Sequence, residues 1–197
     1  MVAGAVLLFL GAAGAFLYSA NRDAAEVKRK EELEYAARWD LDHGQATQAL
    51  EKVKALQQVD PSRAALPGLL GRALVSTGAP TQGVVKLDQA VAANPADAEA
   101  WEYLGVARAQ LGAAAEAKRA FTKALELEPR RASAWRRLAQ VCLTTSDAKA
   151  ATEAWRQALA SADPADRESI RTEAHTMLEL AGKTDEAKTF SSEQPHP

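Results

Sequence analysis

Bulky and small apolar residues return along this chain with a single period. Between residues 101 and 129 the sequence places Trp101, Leu104, Gly105, Gly112, Ala117, Phe121, Ala124 and Pro129 at offsets that describe two short antiparallel helices meeting at a tight turn around Gly112. A shift of 34 residues carries Trp101 onto Trp135, Leu104 onto Leu138 and Leu70, and Gly105 onto Gly71. The same shift carries Phe121 onto Trp155 and Leu87, and Ala124 onto Ala158 and Ala90. The turn residue recurs as Gly44, Gly78, Gly112 and Ser146, and an exit proline as Pro61, Pro95 and Pro129. A hairpin of this size is apolar on one side only and needs a neighbour. The pattern therefore predicts an all-α stack of helix pairs in which each unit covers the next. Helices are expected at about 64–77 with 80–93, 98–111 with 114–127, and 132–145 with 147–162.

These residues resemble the tetratricopeptide repeat (TPR) family, whose pattern is Trp, Leu, Gly, aromatic, then Ala, Phe, Ala, Pro. The resemblance implies a right-handed superhelical solenoid of about four repeats, 30–63, 64–97, 98–131 and 132–165. A degenerate repeat with capping helices would follow over 166–190, and a disordered tail over 191–197. Pro67 and Val53 stand where the family has large aromatics, and Leu74, Arg108 and Cys142 where it has Tyr. Trp101, Trp135, Phe121 and Trp155 are expected to fill the space between units. Asp163 and Pro164 fall one residue late in the register, so a small insertion precedes a polar last helix expected from Pro164 to Ala181.

The first twenty residues carry no charged side chain, and such a run spans about 30 Å as a helix. Residues 1–21 are therefore expected to form a transmembrane helix, and 22–29 a helical juxtamembrane linker. A cleaved signal peptide is the rival reading. Against it, no Lys or Arg precedes the apolar run and bulky Tyr18 stands near the candidate cleavage site. Arg22, Lys28, Arg29 and Lys30 follow the span, so the positive-inside tendency puts the repeats on the cytoplasmic side of the inner (cell) membrane, with the periplasmic side as the alternative. Asp23 with Glu26 has the spacing of a capping box before a helix reaching Asp42. Trp39 falls outside the repeat pattern, and packing against a neighbouring helix accounts for it.

Lys and Arg number 24 against 26 Asp and Glu, a net charge of -2, which argues against nucleic acid as a partner because phosphate contacts need a basic excess. Aromatics make up only 6% of the chain, so core contacts must be mostly Ala and Leu between helices. One cysteine, Cys142, permits no internal disulfide and reads as a small buried apolar side chain.

Catalytic chemistry is not evident. His43, His175 and His196 lack metal-ligand spacing, and Asp40, Asp42 and His43 read as a solvated helix end. No enzyme, cofactor or small-molecule substrate is expected. A curled stack offers a concave groove instead, and by resemblance to the family its wall carries Arg38, Arg72, Val75, Glu102, Val106, Arg136, Gln140 and Leu143. Arginines facing an apolar strip of Val75, Val106 and Leu143 would suit a protein or peptide partner with apolar anchors and an acidic residue. The family's carboxylate clamp for heat-shock chaperone tails is disfavoured, because Glu34, Gly68, Glu102 and Val106 do not match it. The expected role is a membrane-tethered scaffold or assembly factor. A permanent structural subunit of an envelope machine, or a periplasmic chaperone-like assembly protein, is the alternative.

Overall fold

The structure, a computed structural model, describes residues 2–192, with side chains over 21–188 and at 190. Helix α1 (Val2–Asp42) leads into α2 (Ala46–Val59), and the pairs α3 (Leu66–Ser76) with α4 (Pro80–Ala93) and α5 (Ala98–Gln110) with α6 (Ala114–Leu127) follow. The pairs α7 (Ala132–Thr144) with α8 (Ala148–Ser161) and α9 (Arg167–Leu180) with α10 (Thr184–Ser192) complete the stack. No strand occurs among the described residues.

Left-handed bends, four on glycine and one on serine, separate the two helices of each pair. Five times the same cap closes: the amide three residues past the last helical residue donates to a carbonyl five residues earlier, Gln45 to Asp40, Ala79 to Leu74, Ala113 to Arg108, Asp147 to Cys142 and Lys183 to Leu178. The residue before each of these amides is left-handed, with φ of 72° at Gly44, 83° at Gly78, 77° at Gly112 and 70° at Gly182. At the fourth bend Ser146 adopts φ 59°, the one such non-glycine among the described residues.

Within each pair a small residue of the first helix receives a large one of the second. A Cβ at Gly105 would lie 2.7 Å from the Phe121 ring, and one at Gly71 would lie 2.5 Å from Leu87. The next pair shares its cluster between Ala139 and the fully buried Trp155. Phe121 and Trp155 therefore fill hairpin interiors. Trp101 and Trp135 are the residues that reach between units: both are half-buried against the cluster of Ala124, Leu125 and Ala134, and their indole N–H groups donate to the carbonyls of Pro95 (2.9 Å) and Pro129 (2.8 Å). The two tryptophans thus occupy equivalent places in successive repeats.

Three expectations need correction. Asp23 and Glu26 form no capping box, because α1 runs straight through them with neither Gly nor Pro between 15 and 43 to stop it. Glu26 pairs with Lys30 instead, at 2.9 Å. The last long helix starts at Arg167, three residues after the expected Pro164. Ser191 and Ser192 belong to α10, while the rest of the expected tail, 193–197, lies outside the described residues. No helix among the described residues is long and apolar enough to cross a membrane. The expected anchor over 1–21, except Asn21, lies outside the residues whose side chains are described.

The odd-numbered helices touch along the stack, α1 with α3, α3 with α5, α5 with α7 and α7 with α9. Among the even-numbered helices described, only α8 and α10 do so. A stack tight along one edge and open along the other curls toward the tight edge, so α1, α3, α5, α7 and α9 form the inner wall.

Candidate peptide-binding groove

Charged side chains of the inner wall are already paired with one another. Glu34 accepts from the Nε of Arg63 and from Arg38 through Nε (3.2 Å) and Nη2 (3.1 Å). Burial pushes the Glu34 carboxyl up, but the hydrogen bonds from Arg63 and Arg38 outweigh it and leave the group below the usual range. Glu102, only 3% exposed, accepts from the Nε of Arg131 and from Ser133 Oγ (3.1 Å), with Arg137 Nε at 3.5 Å. It is a buried strut between α5 and α7, not a group open to a partner. The N-terminal and central networks are the same device two repeats apart, since Glu34 and Arg63 fall in register with Glu102 and Arg131.

Arg72 is 8% exposed and bridges three helices. Its Nη2 donates to Asp42 at 2.7 Å, its Nη1 to Glu99, and its guanidinium lies 4.9 Å from the Tyr103 ring centroid. Burial pulls its pKa down, but the bond to Asp42 and the fields of Tyr103, Glu99 and Asp42 raise it overall. Arg136 donates to Glu173 of α9 (Nε, 2.8 Å), and Gln140 donates to the other oxygen of that carboxylate at 2.6 Å. The arginines expected to hold an acidic partner are therefore held by the protein's own carboxylates.

The expected apolar strip is not open either. Val75 and Val106 are buried in the central core cluster, Val75 so close to Gly83 that a Cβ there would meet it at 2.5 Å. Leu143 is half-buried against the C-terminal cluster. These residues face between helices because small residues opposite them draw the helices together.

One cavity does open on the inner wall. It has a volume of about 290 Å³ and is bordered by Arg38, Gly68, Arg72, Asp97, Glu99 and Tyr103 over a floor of alanine and leucine. Of the eight expected wall residues it brings together Arg38 and Arg72. Val75, Glu102, Val106, Arg136, Gln140 and Leu143 lie outside it. Asp97 and Tyr103 were missed as wall residues, although one signal pointed here: Gly68 falls in register with Glu34 and Glu102, so a large side chain is absent at that point alone.

Elsewhere, of the helix end expected to be solvated, Asp42 and His43 are exposed but Asp40 is buried and meets Lys52 at 2.6 Å, because α2 packs over it and supplies the cation. Trp39, expected to pack against a neighbouring helix, is 44% exposed and instead stacks on His43, just past the end of its own helix, at a centroid separation of 3.9 Å. Cys142 is buried, which pushes its thiol pKa up. Among the described residues no group of three or more His, Cys, Asp and Glu is placed to hold a metal ion.

Residues 98–131 match the family model of the tetratricopeptide repeat. Curated proteins offer no match. Among solved structures the chain is similar to TTC0263, a thermophilic TPR protein of Thermus thermophilus, at 19% identity over 82% of this chain and 87% of that one, with a TM-score of 0.70. It is also similar to MamA, at 21% identity over 79% of this chain and 90% of that one, TM-score 0.62. A third is the first TPR of Spaghetti (RPAP3) bound to the HSP90 peptide SRMEEVD, at 23% identity over 60% of this chain and 94% of that one, TM-score 0.53. With the repeat match at its centre, the fold is a TPR-like all-α helical solenoid.

Proposed function

We propose that the chain is a non-enzymatic scaffold or assembly factor that holds a segment of another protein against its inner wall, and that residues 1–21 tether it to the inner membrane. The observation that carries the groove reading is the cavity between α1, α3 and α5, where Arg38, Arg72, Asp97 and Glu99 border an apolar floor on the inner wall. A repeat of the same fold bound to a peptide, the first TPR of Spaghetti (RPAP3), supports a peptide as the class of partner. The tether reading is supported by the charge-free run of twenty residues at the start of the sequence.

Photo-crosslinking tests the groove. A photoreactive residue at Tyr103, on the cavity rim, should capture one discrete partner in cells, while one at Lys123 of α6, away from the inner wall, should capture none. Equal capture at both positions would refute the groove. For the tether, deleting residues 1–21 should move the chain from the membrane fraction to the soluble one. Protease access in spheroplasts then assigns the side, for which the basic residues after the span favour the cytoplasm.

A further inference from the structure

We propose that the cavity beside Gly68 takes a lysine or arginine side chain of the bound segment, with Asp97 as its counter-ion. This rests on the groove being the binding surface. Glu34, Gly68 and Glu102 are the same position in three successive repeats, and Arg63, Asp97 and Arg131 are another. In the first and third repeats the two positions form an ion pair across the inner wall, Glu34 with Arg63 and Glu102 with Arg131. The second has glycine and aspartate instead, so both partners of the sister pairs are gone. What is left is a cavity of about 290 Å³ with an acid on its border, and a Cβ built on Gly68 meets nothing nearer than Ala90 Cβ at 3.9 Å.

No cation of the protein answers that acid. Asp97 Oδ1 accepts from the Ala100 amide at 2.9 Å and caps α5, while its other oxygen accepts no hydrogen bond and the side chain joins no ion pair among the described residues. Neither arginine on the border is free to serve it. Arg38 shares Glu34 with Arg63, which also meets Asp60 at 3.6 Å, so the cations of that group are balanced by its acids. Arg72 is held by Asp42 and Glu99 together, one acid more than it can neutralise. With Asp97 added, the surroundings of the cavity carry an excess of negative charge.

The rest of the cavity decides what kind of cation fits. Its floor is apolar, with Ala64, Ala65 and Ala90 placed to cover the methylenes of a long side chain, and lysine and arginine join such a stem to a charged end. A hydrated metal ion has no stem, and among the described residues no group of three or more His, Cys, Asp and Glu is placed to hold one. A carboxylate of the bound segment would add to the excess of acid, and a neutral amide would leave Asp97 without a counter-charge. Asp97 is half-buried, so a charge-assisted hydrogen bond to it is less screened than one on an open surface.

Selection of randomised displayed peptides against the full chain tests this, beside an Asp97→Asn variant whose amide oxygen can still accept from Ala100 and cap α5. Selected peptides that crosslink at Tyr103 should share Lys or Arg at one position. Replacing it by Gln should weaken binding to the unmodified chain by about tenfold, and replacing it by Glu should weaken binding further. Against Asp97→Asn the basic peptide and its Gln form should bind within about twofold of each other. Crosslinking peptides with no basic residue at a shared position, or a preference for Lys or Arg over Gln that Asp97→Asn leaves undiminished, would overturn the pocket and leave the groove standing. Failure to select any peptide that crosslinks at Tyr103 would overturn both. The comparison of basic with Gln peptides uses the unmodified chain, so a difference below about twofold overturns the pocket even if the variant does not fold.

Discussion

Ser146 holds the left-handed conformation that glycine holds at the other four bends, at a cost that its Cβ imposes on the backbone. Ser146→Gly should therefore stabilise the protein by about 0.5–1 kcal/mol, read as a higher urea midpoint with unchanged slope. A second residue-scale effect is the pH response of Glu34. Its pKa is lowered in the folded state by Arg63 and Arg38, so its contribution is complete above the ordinary carboxylate value of about 4.3 and is lost as pH falls through the lowered one. Wild type and Glu34→Gln should differ in unfolding free energy at neutral pH and converge as pH falls below the lowered value. A gap that persists undiminished in acid would show that the arginine bonds do not favour the ionised form.

Helices pair closely where one partner has no side chain. The Phe121 ring occupies the space above Gly105, with its nearest carbons 2.7, 2.8 and 2.9 Å from a hypothetical Cβ, so Gly105→Ala should force α5 from α6 and cost about 1–3 kcal/mol. The tryptophans separate by what they plug. Trp155 is fully buried between α7, α8 and α9, and Trp155→Ala should cost about 3–5 kcal/mol. Trp135 is half-buried between repeats, so Trp135→Ala should cost roughly half as much. Chemical denaturation of the two variants side by side measures the ratio.

At the scale of the whole molecule each pair touches only its neighbours, and stability should be distributed accordingly. Pair α9–α10 supplies Ile170, Ala174, Leu178, Ala187 and Phe190 to the cluster around Trp155. Ending the chain after residue 165 should therefore expose that cluster. Hydrogen exchange should quicken in α7 and α8 and stay slow in α3 to α6. Uniform loss of protection along the stack would mean that the pairs fold as one indivisible unit. The same nearest-neighbour logic describes the inner wall: Arg72 with Glu99 and Arg136 with Glu173 bridge adjacent repeats, while Glu34 with Arg63 and Glu102 with Arg131 tie the first helix of a repeat to that repeat's last residue.

Helix positions and bends were legible in the sequence because they depend on local periodicity: Gly44, Gly78, Gly112 and Ser146, 34 residues apart, each end a helix wherever the chain then goes. The wall was legible only as a set of positions. Arg38 and Arg72 do border the cavity, but the side chains that neutralise Arg72 come from Asp42 and Glu99, 30 and 27 residues away on other helices. Val75 and Val106 read as open and are buried, because how far a side chain sinks between two helices depends on the residues opposite it. The sequence by itself determined the repeat and its bends, set by short-range geometry, whereas it put Phe121 and Trp155 between units and the structure puts them inside hairpins. Only tertiary structure decided which charges are spent on the protein's own partners and where one gap remains, since electrostatic pairing and packing are properties of neighbours that meet only when the stack has formed.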